Sequence, residues 1–326
     1  MQIFDRYGRP IKNLRVMVTS ACNLNCIYCH GEGVYPIYHC FKNNARRRLL
    51  SPDEIKKVVE ITVKHGVRQV KLTGGEPLLR RDIVDIVRKI SEIREIEDIS
   101  LVTNGHFLAN YVYDLKDNGL DRVNVSLPTL NPDKYSFITR YPKKDGVQKV
   151  LGNIKKAIEA ELNPVKINVV ILRGINNDEI NDFIDVARDI GAVVQFIELQ
   201  DPNGYNSSFF KQYFYPLESL EKELEKEASR VIVREMHHRK RFIMEDGVEI
   251  EVVRPMFNSN FCAHCTRMRV TDIGEFKPCL MRDDNHVDFS MYLNDPEKIE
   301  QAFIKAVIRR APYFKVGDRD ERSKNG

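Results

Sequence analysis

The residues most able to do chemistry in this 326-residue chain are its cysteines, six of which fall in two tight groups. Cys22, Cys26 and Cys29 stand in "CNLNCIYC", spaced CxxxCxxC. Cys262, Cys265 and Cys279 stand in "FCAHC" and "KPC", a CxxC and, after thirteen intervening residues, a third cysteine. Thiolates at such spacings bind soft metals, and cysteines grouped this way suit a reducing compartment better than a disulfide framework. A structural zinc takes four ligands, so either group would need a fourth, His30 for the first or His264 for the second. A [4Fe–4S] cluster on three thiolates instead keeps one iron free for a ligand that is not protein. Spacing alone leaves both chemistries open.

Isolated charges form the second feature. Arg15, Lys71 and Lys166 sit in three separate runs otherwise built from Val, Leu and Ile, where an unpaired buried charge is strongly destabilising. Each must snorkel at a strand end, meet a core carboxylate such as Glu198, or face a bound anion. Arg267 and Arg269 lie two apart in an extended-looking segment, so both side chains leave one face and can grip phosphate with planar forks. Gly74 and Gly75 close the run "VKLT", where backbone without Cβ lets a ligand approach closely.

These residues need a scaffold that brings them together, and the periodicity supplies one. Six short β-branched runs, "LRVMVTS", "QVKLTGG", "ISLVTNG", "RVNVSL", "VKINVVIL" and "VVQFIEL", alternate with helical patterns over 51–66, 81–94, 107–118, 146–161 and 177–190. Ser51 and Glu54 make a capping box, with Pro52 at the first helical position and Ile55, Val58, Val59, Thr62 and Val63 on one face. Strand and helix in strict alternation predict a parallel sheet covered on both faces, and charges inside the strands favour a barrel with an occupied interior. Beyond 200 the pattern changes to a helix near 217–227, two strands turned at Asp246–Gly247, the second cysteine group and an amphipathic helix. That last helix is expected to bury Ile299, Phe303, Ile304, Val307 and Ile308. The reading is α/β, with residues 1–200 as the barrel and 201–326 as an α+β extension ending in a disordered tail. Cys40 and Arg46 to Arg48 fall in a long loop, read as solvated.

Composition narrows the function classes. No run reaches the roughly 18 apolar residues of a membrane helix, and "MQIFDRYGRP" lacks the apolar segment of a signal peptide, so a cytoplasmic protein is expected. A net charge of +4 from 51 basic and 47 acidic residues is a mixed surface, not that of a dedicated nucleic-acid binder. The run "HHRKR" (237–241) reads as a solvated strand edge, and a zinc protein using it on RNA is the non-enzymatic alternative.

CxxxCxxC with Tyr28 directly before its last cysteine resembles the pattern of the radical S-adenosylmethionine enzymes. That resemblance implies a partial TIM-type (βα)6 barrel. It also implies a [4Fe–4S] cluster on Cys22, Cys26 and Cys29, whose free iron chelates S-adenosylmethionine and delivers the electron that yields a 5′-deoxyadenosyl radical. Tyr28, Gly75 of "GGEP" and Ser126 of "NVSL" then contact S-adenosylmethionine. The ordered set "LTGGEP", "TNG", "NVS", "VKIN", "FIEL" and the C-terminal cysteines further resembles the GTP 3′,8-cyclases, lyases of molybdenum cofactor biosynthesis.

The narrower resemblance implies a second [4Fe–4S] cluster on Cys262, Cys265 and Cys279 whose open iron binds the guanine base. GTP contacts fall on Arg15, Lys71, Thr103, Lys166, Arg267, Met268 and Arg269. The radical takes hydrogen from C3′, the C3′ radical attacks C8, and the product is 3′,8-cyclo-7,8-dihydroguanosine triphosphate. A reducing electron donor and a downstream cyclic pyranopterin monophosphate synthase are the implied partners; neither membrane nor nucleic acid is. Lys71 stands where many members have arginine, Pro128 and Gln200 depart from "NVSV" plus acid and "FIELM", and the family's terminal Gly-Gly is missing. Another substrate, such as a peptide, with the second cluster as electron relay, remains the alternative within the wider family.

Overall fold

The computed structural model describes residues 1–33, 48–201 and 207–313; Cys40, Arg46, Arg47 and the tail from 314 lie outside the described residues. The six alternating runs become β1 (Asn13–Thr19), β2 (Gln69–Gly74), β3 (Asp98–Thr103), β4 (Arg122–Ser126), β5 (Val165–Ile171) and β6 (Val193–Glu198), paired in chain order and all parallel. Between them run α1 (Pro52–Val63), α2 (Ile83–Ser91), α3 (Val112–Asp117), α4 (Pro132–Thr139), α5 (Gly146–Glu159) and α6 (Ile180–Ile190). The capping box at α1 forms on both sides: Ser51 Oγ accepts from Glu54 N at 3.3 Å, and the Glu54 carboxylate accepts from Ser51 N at 2.8 Å. The pattern over 107–118 divides into a 3₁₀ turn at Leu108–Asn110 and the short α3.

The last third supplies α7 (Ser208–Tyr213), α8 (Glu218–Glu227), β7 (Arg230–Val233), β8 (Lys240–Ile243), β9 (Glu249–Val253), α9 (Ser259–Ala263), β10 (Arg267–Val270), β11 (Glu275–Lys277), β12 (Val287–Asp288) and α10 (Pro296–Ile308). Its strands join the same sheet at both ends, in the order β12-β11-β10-β1-β2-β3-β4-β5-β6-β9-β8-β7. β10 lies parallel beside β1 and β9 parallel beside β6. The sheet's ends approach each other where His237 N donates to His264 O at 2.7 Å, which makes the whole an incomplete barrel.

Three expectations are corrected. The turn at Asp246–Gly247 joins β8 to β9, whereas "RVIVREM" turns back earlier, at Met236–His238, to pair with β8. The run 237–241 is therefore no solvated edge: β8 lies between two strands, and His237 is buried. On α10, Ile299, Phe303 and Val307 are buried, but Ile304 is half-buried and Ile308 is 44% exposed because these two, four residues apart, lie along the edge of the buried face.

The alternation of side chains decides what the barrel can hold. Leu14, Val16, Val18, Val70, Leu72, Val123 and Ile167 belong to the apolar core under the helices, while Arg15, Lys71, Ser100, Asn124, Lys166 and Gln195 line the interior. At the top of β2, Gly75 N donates to Thr19 O and Glu76 N to Ala21 O, both at 2.8 Å, pinning the segment that leads into Cys22. A Cβ on Gly75 would lie 2.2 Å from Ala21 O, a backbone atom with no room to retreat. Gly75→Ala is therefore expected to destabilise the protein by about 1–3 kcal/mol, the usual range for overpacking, and to displace the cysteine segment. Thermal unfolding with iron quantification after reconstitution checks both.

Candidate active site

The barrel interior is a cavity of about 420 Å³ lined by all six grouped cysteines. Their positions follow from strand direction. Cys22, Cys26 and Cys29 follow β1, at the carboxyl ends of the parallel strands. Cys262 and Cys265 precede β10, which runs parallel to β1 with Arg267 beside Asn13, so they stand at the opposite end. β11 returns antiparallel to β10 and delivers Cys279 to that same end. The strands between, at about 3.3 Å per residue, separate the two groups by roughly 20 Å of barrel. Among the described residues no group of three His, Cys, Asp or Glu side chains is already closed around a point.

Cys22 and Cys29 are exposed to the cavity and Cys26 is half-buried. Burial within the concave mouth and the charges of neighbouring thiols push the Cys26 thiol far up; burial, with Glu76 and Cys29, raises Cys22, and burial, with Glu32, raises Cys29. At the other end burial also acts on Cys265, but Arg310, the Arg267 N–H and the side chains of Arg267 and Arg269 outweigh it and lower the thiol. Cys279, in the same group, is instead raised, burial outweighing Arg269, and a positively charged metal group can replace the protons of both kinds of thiol. His30 lines the cavity with Nδ1 buried and without a partner among the described residues. His264 does not line it: its Nδ1 meets Asn260 O at 3.0 Å and its ring stacks on His238 at 3.2 Å.

Between the ends lies a belt of cations set by strand register. Arg269, Arg15 and Lys71 are neighbours across β10, β1 and β2. Their partners are few. Arg15 donates to Glu32 at 2.5 Å and to Thr73 at 3.2 Å, and Arg269 lies 4.0 Å from the same carboxylate. Burial works against ionisation of Glu32, yet Arg15, His30 and Arg269 hold its carboxyl down to about 2. Lys71 donates to Asn124 at 2.9 Å, with its pKa well below the ordinary range through burial and then Arg122, Arg15 and Arg267. Lys166 is bound not to Glu198 but to Glu251, also the acceptor for Gln195 at 2.5 Å and Arg234 at 2.8 Å. Glu198 instead faces Arg254 and is raised to about 7, burial outweighing Leu217 N–H and Arg254. The Nε atoms of Arg15, Arg239 and Arg269 are buried with no partner among the described residues.

The remaining sequence candidates divide. Tyr28, Gly75, Ser126, Lys166 and Arg267 line the cavity. Thr103 does too, but its hydroxyl donates to Glu76 at 2.7 Å and accepts from Gly105 N at 3.0 Å. The Met268 side chain points to the other face of β10, into the apolar core. Gln200 lines the cavity with a buried Oε1 that has no partner among the described residues, and Pro128 O accepts from Asn176. Arg239, Arg234, Glu32, Asn124 and Asn168 also line it; sequence reasoning passed them over. The signal for Asn124 and Asn168 was present, since polar residues recur at every second position of "RVNVS" and "VKIN".

Comparison with known proteins gives the family. The model of the radical SAM superfamily matches residues 16–187, and that of Molybdenum Cofactor Synthesis C matches residues 192–316. "Probable GTP 3',8-cyclase" of Methanocaldococcus jannaschii is 45% identical over 313 residues, covering 96% of this chain and 99% of that protein. The protein of the same description from Pyrococcus abyssi is 44% identical over 320 residues, covering 96% and 99%. Among solved structures, native anSMEcpe with bound AdoMet superposes with a TM-score of 0.59 at 16% identity over 94% of this chain and 85% of that one. Streptococcus suis SuiB bound to precursor peptide SuiA gives 0.62 at 15% identity over 83% of this chain, which spans 60% of that one. At these identities the two structures share the fold.

Glu32 gives this site a pH signature. A carboxyl depressed from the usual 4.5 to about 2 contributes stability that is present above 4.5 and lost as pH falls toward 2. Glu32→Gln is expected to lower the unfolding temperature at pH 7, by an amount corresponding on the order of 3 kcal/mol. The gap from the parent should narrow steadily below pH 4.5, which melting curves from pH 7 to 3 test.

Proposed function

The chain belongs to the radical SAM superfamily and, within it, to the GTP 3′,8-cyclases, and on that footing we propose how its own residues divide the work. Its activity is the cyclisation of GTP to 3′,8-cyclo-7,8-dihydroguanosine triphosphate, a lyase reaction of molybdenum cofactor biosynthesis. In this reading Cys22, Cys26 and Cys29 hold the [4Fe–4S] cluster of the superfamily, which when bound supplies the electron that splits S-adenosylmethionine into methionine and the 5′-deoxyadenosyl radical. Tyr28, Gly75 and Ser126 line the space beside that group and bound the S-adenosylmethionine site. Cys262, Cys265 and Cys279 hold a second cluster at the far end, next to the guanine base.

One observation carries the assignment of GTP: a belt of buried cations with too few carboxylates lies between the two cysteine groups in one cavity. A triphosphate is the anion of matching charge. Arg15, Lys71, Arg267 and Arg269 grip it, with Lys166 beside them in the barrel wall. Thr103 acts through Glu76, fixing the top of β3, and Met268 contributes backbone and packing. A reducing electron donor serves the first cluster, and the product passes to a cyclic pyranopterin monophosphate synthase.

Anaerobic reconstitution with GTP and S-adenosylmethionine, followed by mass analysis, tests the whole reading. Cys22→Ala is expected to abolish 5′-deoxyadenosine formation, whereas Cys279→Ala retains some and loses the cyclised product; 5′-deoxyadenosine from the Cys22 variant would sink the division of roles. For the clamp, each charge-assisted contact is worth about 1.5–3 kcal/mol, so Arg267→Ala or Lys71→Ala should weaken GTP binding roughly ten- to a hundredfold. Lys71→Arg should bind normally, since the charge is kept and a fork added. Calorimetry on the reconstituted protein reads these values, and parental affinity in both alanine variants would end the clamp.

A further inference from the structure

We propose that Arg239 is a further binding residue for the polyphosphate of the nucleotide, positioned by Glu251; this rests on the triphosphate reading above. Glu251, on β9, is fully buried. Its Oε1 accepts from Lys166 and, at 2.8 Å, from Arg234, and its Oε2 accepts from Gln195 at 2.5 Å. Arg239 NH1 stands 3.7 Å from Oε2, near enough to be attracted but too far for a hydrogen bond. Three cations that line the cavity, Lys166, Arg234 and Arg239, thus share one carboxylate. The other donors use three of the carboxylate's acceptor positions, two on Oε1 and one on Oε2, and Arg239 stands outside hydrogen-bond distance of the remaining one.

Arg239 is the member left over. Its side chain is only 11% exposed, and its Nε is buried with no partner among the described residues. A guanidinium in that condition is costly unless an anion meets it. Burial lowers its pKa, Glu251, Arg234 and Arg122 also act on it, and it adds in turn to the field on Arg267, so it is within electrostatic reach of the rest of the belt. The turn before β8 fixes it there. Arg234 N donates to Arg239 O at 2.9 Å, His237 N is anchored to His264 O, and His237 and His238 take left-handed φ values of 66° and 47°. With Lys166 already answered by Glu251, Arg239 presents an open fork of the kind that suits phosphate oxygens.

The test is calorimetry on the anaerobically reconstituted protein with GTP, inorganic tripolyphosphate and guanosine, using Arg239→Ala, Arg239→Gln, Arg239→Lys and Arg267→Ala. Arg239→Ala and Arg239→Gln should weaken GTP and tripolyphosphate roughly ten- to a hundredfold. Guanosine should stay within about twofold, and Arg239→Lys should fall between. The glutamine variant keeps most of the packing stem should the alanine variant fail to fold. Normal GTP affinity at Arg239 with a loss at Arg267 overturns the inference and leaves the clamp standing. Normal affinity at both overturns the clamp and this residue with it. Equal loss for GTP and guanosine marks a structural role and also overturns it.

Discussion

Strand register is the constraint on which the rest of the molecule depends. Because β10 adds to β1 in parallel, Arg269 comes beside Arg15 and Arg15 beside Lys71, and three cations face one interior about 4.8 Å apart from strand to strand. A slip of one residue would send all of them under the helices and bring Met268 into the cavity. The apolar partners at Leu14, Val16, Val70 and Leu72 forbid that slip. The core thus fixes the site's geometry.

The repulsion built into that register is offset by two carboxylates that sit outside the six-strand barrel. Glu32 belongs to the turn after the first cysteine group and answers Arg15 and Arg269. Glu251 belongs to β9 and answers Lys166 and Arg234. Each is held ionised against its own burial by the surrounding cations. Asp98, paired with Arg122, and Glu198 also line the cavity, yet cations still outnumber carboxylates there and leave a net positive interior, which attracts a polyanion while keeping the barrel foldable. A fully neutralised belt would be more stable and would bind nothing, the usual exchange between stability and function.

Much of this was legible in the sequence, for definite reasons. A charge inside a Val, Leu and Ile run is conspicuous because burial makes it expensive, so Arg15, Lys71 and Lys166 announced a polar interior. The spacing of Arg267 and Arg269 set their common face through simple alternation. What the sequence withheld were the partners. Nothing local links Lys166 to Glu251, 85 residues away, and Glu198 was an equally plausible acceptor until β9 was placed beside β6. β8 stayed hidden because "KRFI" carries charges that look solvated, yet they answer Glu249, Glu251 and Glu225 across the sheet and on α8.

The far end of the barrel shows how the second cysteine group is held by segments remote from it. The carboxylate of Asp5, buried near the start of the chain, accepts from Arg9 Nε at 2.7 Å and from Arg310 at 2.8 Å. Arg9 in turn donates to Cys262 O at 2.8 Å, and Arg310 donates to Cys265 O at 2.5 Å. Both carbonyls of the CxxC are therefore fixed by guanidinium groups that one carboxylate aligns. The same Arg310 lies among the charges that lower the Cys265 thiol, so orientation and electrostatics come from a single buried cluster. A cysteine group that precedes an added strand cannot rely on the barrel alone for rigidity, and here the residues before β1 and after α10 supply it.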